Sequence, residues 1–201
     1  VGMLQSRIVF ADDAGRTNST GVVFRNDATF IDRDFEQPAD RPAGEDVFCV
    51  SAGAAVYRRT MLDALRLGSG PFDDDFFMYF EDVDLGWRAR LAGWQARFVD
   101  GAPVRHALHA SATRHGDHFV GLQCRRNRLR MLARNGSSAL LLRTLPRTLF
   151  DVAASVYRGG AGELGMFLNA WRGGRAQRST VDTSSTLSRR DIESRWIGRE
   201  G

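Results

Sequence analysis

The most constraining stretch of this chain is Phe76-Phe77-Met78-Tyr79-Phe80-Glu81-Asp82-Val83-Asp84-Leu85-Gly86-Trp87-Arg88. A run of aromatic residues delivers Glu81, Asp82 and Asp84 to a helix start. Val83, Leu85, Trp87, Leu91 and Ala92 then carry an apolar face onward, and Gly93 ends the helix. Carboxylates packed this closely repel one another. At a helix N-terminus, however, the unpaired backbone N–H groups and the positive end of the dipole favour negative charge, so the position tolerates them. Two roles are open for these acids. One is capping, worth about 0.3–1 kcal/mol for each acid. The other is a general base aimed into a cleft and walled by the aromatics before it. Arg88 stands at helical spacing from both Glu81 and Asp84, so ion pairing within the helix competes with substrate binding as its role.

The rest of the sequence narrows the setting. At 201 residues, 43% hydrophobic and 26% charged, the chain is long enough for one globular domain with a sizeable core. All 28 basic residues are arginine. Residues 1–100 hold 11 of them against 17 acids, and residues 101–201 hold 17 against 7, so an acidic half precedes a basic one and a division of labour is expected. Cys49 and Cys124 lie far apart without metal-type spacing, which fits reduced thiols in a cytosolic protein. The opening residues are strand-like, with neither a basic leader nor an apolar signal core, and the missing initiator Met points to a piece of something longer. The longest apolar region, 139–157, is interrupted by Arg143, Pro146, Arg147 and Asp151, which excludes a conventional membrane span.

In chain order, Arg7–Ala11 and Val22–Phe24 flank an Asp-Asp-Ala-Gly turn and read as a hairpin. A polar connection over 25–46 leads to Val47–Val50, a compact buried strand. Ser51-Ala52-Gly53-Ala54-Ala55 is a small-residue segment that allows close backbone approach, so Gly53 and Ala54 are candidate substrate contacts. A helix over 58–67, the central helix, a strand over 94–99 and an extended Pro103-Val104-Arg105-His106 follow. Alternating strands and helices argue for an α/β layer architecture. Asp117 is the expected N-cap of a helix to Arg134, and helices over 139–157 and 163–171 come next. Past Gly173 the composition predicts a flexible basic tail with at most a short helix over 191–196.

Val50-Ser51-Ala52-Gly53-Ala54-Ala55-Val56-Tyr57-Arg58-Arg59, Gly70-Pro71-Phe72-Asp73, the aromatic-acidic run through Leu85, Arg88, Ala92-Gly93-Trp94 and Val104-Arg105-His106 together resemble family 2 glycosyltransferases of the GT-A fold, in particular rhamnosyltransferase-like members. The match spans about 45–135. The resemblance implies inverting transfer of a sugar, rhamnose among the candidates, from a nucleotide-diphosphate donor to a glycan or lipid-linked acceptor. The second acid of the Glu-Asp pair is then the base, here Asp82, with Glu81 and Asp84 orienting it. His106 is then the ligand of a divalent metal, Mg2+ or Mn2+. The family's nucleotide-binding half with its Asp-x-Asp motif has no counterpart in this sequence. The expected fold is therefore α/β, a partial GT-A domain lacking that half: residues 1–135 form its acceptor side, 136–172 amphipathic C-terminal helices and 173–201 the tail.

Several features carry a plainer reading. Asp73-Asp74-Asp75 contains an Asp-x-Asp string but follows a Gly-Pro-Phe turn, so it reads as turn chemistry. Gly160-Ala161-Gly162-Glu163-Leu164-Gly165 matches a dinucleotide fingerprint in letters only, because a helix pattern precedes it, and a helix junction explains its glycines. Trp87 and Trp94 read first as packing, with sugar contact as the alternative for Trp87. His109, His115 and His118 stand outside the motif series. For the basic half, an anionic membrane surface, nucleic acid and a subunit-joining helical module are the candidate partners; nucleic acid lacks a recognition motif. The expected location is cytoplasmic, peripheral to the inner face of the plasma membrane. The runner-up function is a non-catalytic acceptor-binding module of the same fold.

Overall fold

The computed structural model describes residues 1–68, 70–107 and 115–199. Within these, a five-stranded mixed sheet is built around β1 (Met3–Phe10). One edge of β1 pairs antiparallel with β2 (Thr17–Ser19) at its far end and with β6 (Ala55–Tyr57) at its near end. The other edge pairs parallel with β7 (Ala96–His106), whose outer side takes the two-residue β5 (Asp46–Val47). Separately, β3 (Val22–Phe24) and β4 (Phe30–Asp32) form a hairpin. The sequence pattern had joined β1 directly to Val22–Phe24; the chain instead turns earlier into β2 and uses Val22–Phe24 for a second hairpin.

A parallel pair needs a long crossover. Between β1 and β7 the chain supplies α1 (Arg59–Ala64) and α2 (Glu81–Leu91), the second being the helix that the aromatic run introduces. From Val83 to Leu91 every residue of α2 is buried. Gly86 lets it approach this closely: a Cβ built there would stand 2.2 Å from the Cβ of Cys49. Gly93, at φ +83°, stops the helix where the sequence predicted. β7 then runs on to His106, which the register sets opposite Phe10.

The second half is a helical layer: α3 (Asp117–Asn135), α4 (Ser138–Gly159), α5 (Ala161–Ala176), α6 (Arg178–Ser184) and α7 (Arg189–Trp196). Gly160, at φ +83°, is the junction of α4 and α5, as its glycines predicted. Asp117 begins α3 without capping it, since Gly116 holds the cap position. The short helix expected over 191–196 is present as α7, but the stretch before it, expected to be flexible, is helical too, in the end of α5 and in α6. Val181, Ile192 and Trp196 are buried in the main core with Phe24, Phe48 and Trp87, because their apolar side chains fill the far side of an aromatic cluster that the first half leaves open.

The arginines of α3 also depart from a solvent-facing stripe. Arg128, Arg130 and Arg134 are buried and reach back to the acidic half. Arg130 Nε donates to Asp73 Oδ2 at 2.8 Å, and Arg134 pairs with both Asp73 and Asp84. The two oppositely charged halves complement each other inside the molecule, and the buried guanidiniums find the carboxylates that such burial demands.

Candidate active site

An open cavity of about 680 Å³ lies between the sheet and the start of the helical layer, in the size range of small-molecule sites. The aromatic run forms one wall, Phe30 to Asp32 of the second hairpin another, and Asp117, Val120 and Cys124 of α3 a third. Glu81, Asp82 and His106 face it from α2 and from the end of β7. Burial keeps the Cys124 thiol protonated, pushed up to about 11.

The backbone that delivers the acids is strained. Phe77, Tyr79 and Phe80 all adopt positive φ, at 61°, 67° and 68°, which L-residues occupy only when their surroundings over-determine it. The surroundings are supplied by Asn127 of α3. Its side-chain Nδ2 is buried within 2.9, 2.8 and 2.9 Å of the carbonyl oxygens of Phe76, Met78 and Tyr79, so one amide gathers three carbonyls of the loop. Asp73 supports the same loop by accepting from Asp75 N–H at 3.1 Å.

Asp82 is half-buried and its carboxylate spans two segments. Oδ1 accepts from the Val83 N–H at 2.7 Å, and Oδ2 accepts from the Ala52 N–H at 2.9 Å. Ala52 belongs to a 3₁₀ turn over Ala52–Ala54 that Gln5 of β1 holds at both ends: Gln5 Oε1 accepts from Ser51 N–H at 2.6 Å and Gln5 Nε2 donates to Ala54 O at 3.3 Å. Asp82 is thus positioned by the sheet as well as by its own helix. Burial raises its proton affinity, outweighing the N–H bonds from Ala52 and Val83, which pull it down. Glu81 is raised too, first by burial and then by the charge of Asp82, and its Oε2 is buried with no hydrogen-bond partner among the described residues.

Asp32 adds a carboxylate from the second hairpin to this cavity. Burial raises it and the charge of Asp82 raises it further, while a bond from the Ser19 hydroxyl and the neighbouring His106 pull it down. The cavity is therefore lined by Asp32, Glu81 and Asp82, with Asp82 electrostatically coupled to both of the others, beside the His106 imidazole. A Cβ at Gly53 would sit 3.3 Å from Ile8 Cδ1 and 4.0 Å from His106 Cδ2, but the residue of this turn region that lines the cavity is Ser51, and neither Gly53 nor Ala54 does.

The structure separates other expected residues from this group. Asp84 is buried away from the cavity, accepting from Arg88 Nε at 2.9 Å, Arg134 Nη1 at 2.7 Å and Asn135 Nδ2 at 2.9 Å. Arg88 spends its remaining donors on the Leu65 and Pro71 carbonyls, both at 2.6 Å. Trp87 is fully buried against Phe24. Neither the orientation of Asp82 by Asp84 nor a substrate contact by Trp87 or Arg88 matches these positions: the charge of each arginine and acid is consumed in the core, and the indole has no face toward the cleft. His109 lies outside the described residues. Gln5, Asp32 and Asn127 are the participants that the sequence pattern missed. Each acts through a partner 40 or more residues away, which local spacing does not encode.

Among the described residues no group of three or more His, Cys, Asp or Glu side chains is arranged to hold a metal ion. His106 by itself is a single ligand, and the residues present do not fit a divalent-ion site.

Fold and cavity define a mixed α/β domain with a carboxylate-bearing cleft at the ends of its strands and the start of a buried helix. No protein-family model matches the sequence. The chain is similar to N-acetylglucosaminyl-diphospho-decaprenol L-rhamnosyltransferases from two strains of Mycobacterium tuberculosis, each 35% identical over 85 residues. That similarity covers 42% of this chain and 25% of each relative, so the chain matches only about a quarter of the length of these enzymes.

Proposed function

We propose that this chain carries the acceptor-side machinery of an inverting glycosyltransferase, moving a sugar such as rhamnose from a nucleotide-diphosphate donor to a hydroxyl of a glycan or lipid-linked acceptor at the inner face of the plasma membrane. The observation that carries the reading is Asp82: a carboxylate of raised proton affinity, fixed by the Ala52 N–H and opening on a cavity shared with His106. The named activity of the partial relatives is the same kind of chemistry.

In this mechanism Asp82 accepts the proton of the acceptor hydroxyl. The freed oxygen forms a bond to the anomeric carbon from the face opposite the leaving group. The bond from that carbon to the phosphate oxygen breaks, and its electron pair departs with the nucleoside diphosphate. Burial strengthens the hold of Asp82 on that proton, and the charge of Asp82 in turn raises the proton affinity of Glu81 and Asp32 beside it.

The test is turnover of NDP-sugar by the complete protein carrying Asp82→Asn. The expected result is a fall in kcat of about 10²–10⁴-fold with acceptor affinity retained. Full activity in that variant excludes Asp82 as base. Acceptor binding without turnover in the wild-type protein would assign the site to a non-catalytic acceptor-binding module.

A further inference from the structure

Helix α4 wears its polarity inside out. Fully buried on α4 are Leu140, Thr144, Asp151 and Ser155, of which only Leu140 is apolar. The inward polar groups are satisfied: Thr144 Oγ1 donates to the Leu140 carbonyl at 2.9 Å, Ser155 Oγ accepts from Arg125 Nε at 2.9 Å, and Asp151 accepts from Arg147 Nε at 3.1 Å. The large apolar residues point to solvent. Leu142 is 72% exposed, Leu149 60%, Phe150 68% and Tyr157 90%. On α5, Leu164, Leu168 and Trp171 are exposed at successive turns, although Phe167 of the same helix is buried, and an apolar groove of about 270 Å³ runs between α3 and the first half of α4, with Trp171 of α5 at its side.

At about 100° per residue, Leu142, Leu145, Leu149 and Ala153 fall on one line, with Phe150 and Tyr157 beside it and Arg143 and Arg147 along the border. The charge on this surface has one sign. Exposed residues from Ser138 to Ala176 include Arg143, Arg147, Arg158, Arg172 and Arg175, whereas both acids of that span, Asp151 and Glu163, are buried. Arg143, Arg158 and Arg172 meet no carboxylate within 4.0 Å among the described residues.

An apolar stripe bordered by arginines and carrying Phe, Tyr and Trp is the pattern of a helix lying in a membrane interface. A second copy of the chain fits less well. A two-fold contact would bring arginines against arginines with no acid to meet them, and like charges across an interface repel. Among the described residues no helix is long and apolar enough to cross a membrane, so contact at the surface is the arrangement these helices allow.

We propose that the outer face of α4 and α5 docks on the anionic surface of a lipid bilayer, with the leucines and Phe150 in the boundary between headgroups and acyl chains and the arginines at lipid phosphates. This inference uses neither Asp82 nor the cleft, and its readout is independent of turnover. The test is flotation of the full chain with vesicles of phosphatidylcholine, with and without phosphatidylglycerol. Expected are flotation with the anionic vesicles, partial release at high salt, and loss of flotation in Leu149→Glu/Phe150→Glu. Arg143→Gln/Arg158→Gln should bind about thirty-fold more weakly, at about 1 kcal/mol per arginine. All four positions are exposed, and an unchanged circular dichroism spectrum checks that each variant folds. Absence of flotation with anionic vesicles overturns the proposal, as does flotation of Leu149→Glu/Phe150→Glu equal to wild type. A concentration-dependent dimer that the Leu149→Glu/Phe150→Glu change dissolves, without vesicle binding, overturns it in favour of a second copy.

Discussion

Asp82 and Asp84 sit on the same first turn of α2 and end in opposite environments. One faces a cavity and is held only by backbone N–H groups; the other is enclosed by Arg88, Arg134 and Asn135. Asp84→Ala leaves two buried guanidiniums short of their counter-charge, so it should lose about 3–5 kcal/mol in denaturant unfolding. The pH dependence separates the acids too. Because burial raises Asp82, and the ionised carboxylate is the active form, the acid limb of the kcat/KM profile should lie above the ordinary aspartate value of about 3.9. A limb at the ordinary value would contradict the burial argument. For stability the sign reverses: the folded state binds the protons of Asp82, Glu81 and Asp32 more tightly than the unfolded chain does. Their contribution therefore grows as pH falls from above the folded values toward the unfolded ones. Asp73 runs the other way. Burial alone would raise it, but Arg130 and Arg134 outweigh burial and hold it low, so its contribution is present above the unfolded value and is lost as pH falls through the folded one. Melting temperature measured against pH in Asp73→Asn and wild type should converge only in that acidic window.

The element that concentrates strain is the aromatic run, and the element that holds it is α3. Asn127→Ala removes the donor shared by three carbonyls of the positive-φ loop, so a loss of about 2–4 kcal/mol is expected, with faster proteolysis near Phe77 as the local check. Gly86 governs how α2 meets the strand side. An added methyl meets Cys49 Cβ, an atom with no rotamer to escape through, so Gly86→Ala should cost about 3 kcal/mol in thermal or denaturant unfolding. The sequence announced α2 well, since its acids, its apolar repeat and Gly93 are all local signals. It was silent on the clamp, because Asn127 bonds to backbone oxygens, which every residue type possesses. The same limit hid Gln5, while Asp32 was hidden because the charge it couples to, Asp82, lies far along the chain. The hairpin partner of β1 was misplaced because Thr17–Ser19 is polar and its burial comes from neighbours, not from its own hydrophobicity.

On the scale of the whole molecule, composition was visible and its meaning was not. A basic half after an acidic half reads as a division of labour until Arg130 and Arg134 are seen pairing with Asp73 and Asp84 across the interior. The Gly-, Arg- and Ser-rich end misled for a related reason: sparse apolar residues lower average hydrophobicity, yet three well-placed ones suffice to fill a core. Trp196 lies against Phe48, with the Arg90 guanidinium 4.3 Å from its ring centre. Glu193 accepts from Ser137 N–H at 2.7 Å and from its hydroxyl at 2.6 Å, securing the cap of α4, and Arg178 donates to the Ala133, Arg134 and Gly136 carbonyls at the end of α3. Ending the chain after Gln177 removes all of these. Three buried side chains at about 1.5–3 kcal/mol each approach the whole stability of an ordinary domain, about 5–15 kcal/mol. The shortened chain should therefore lose its near-ultraviolet circular dichroism and bind a hydrophobic dye, whereas a merely appended tail could be cut away with no change in either signal.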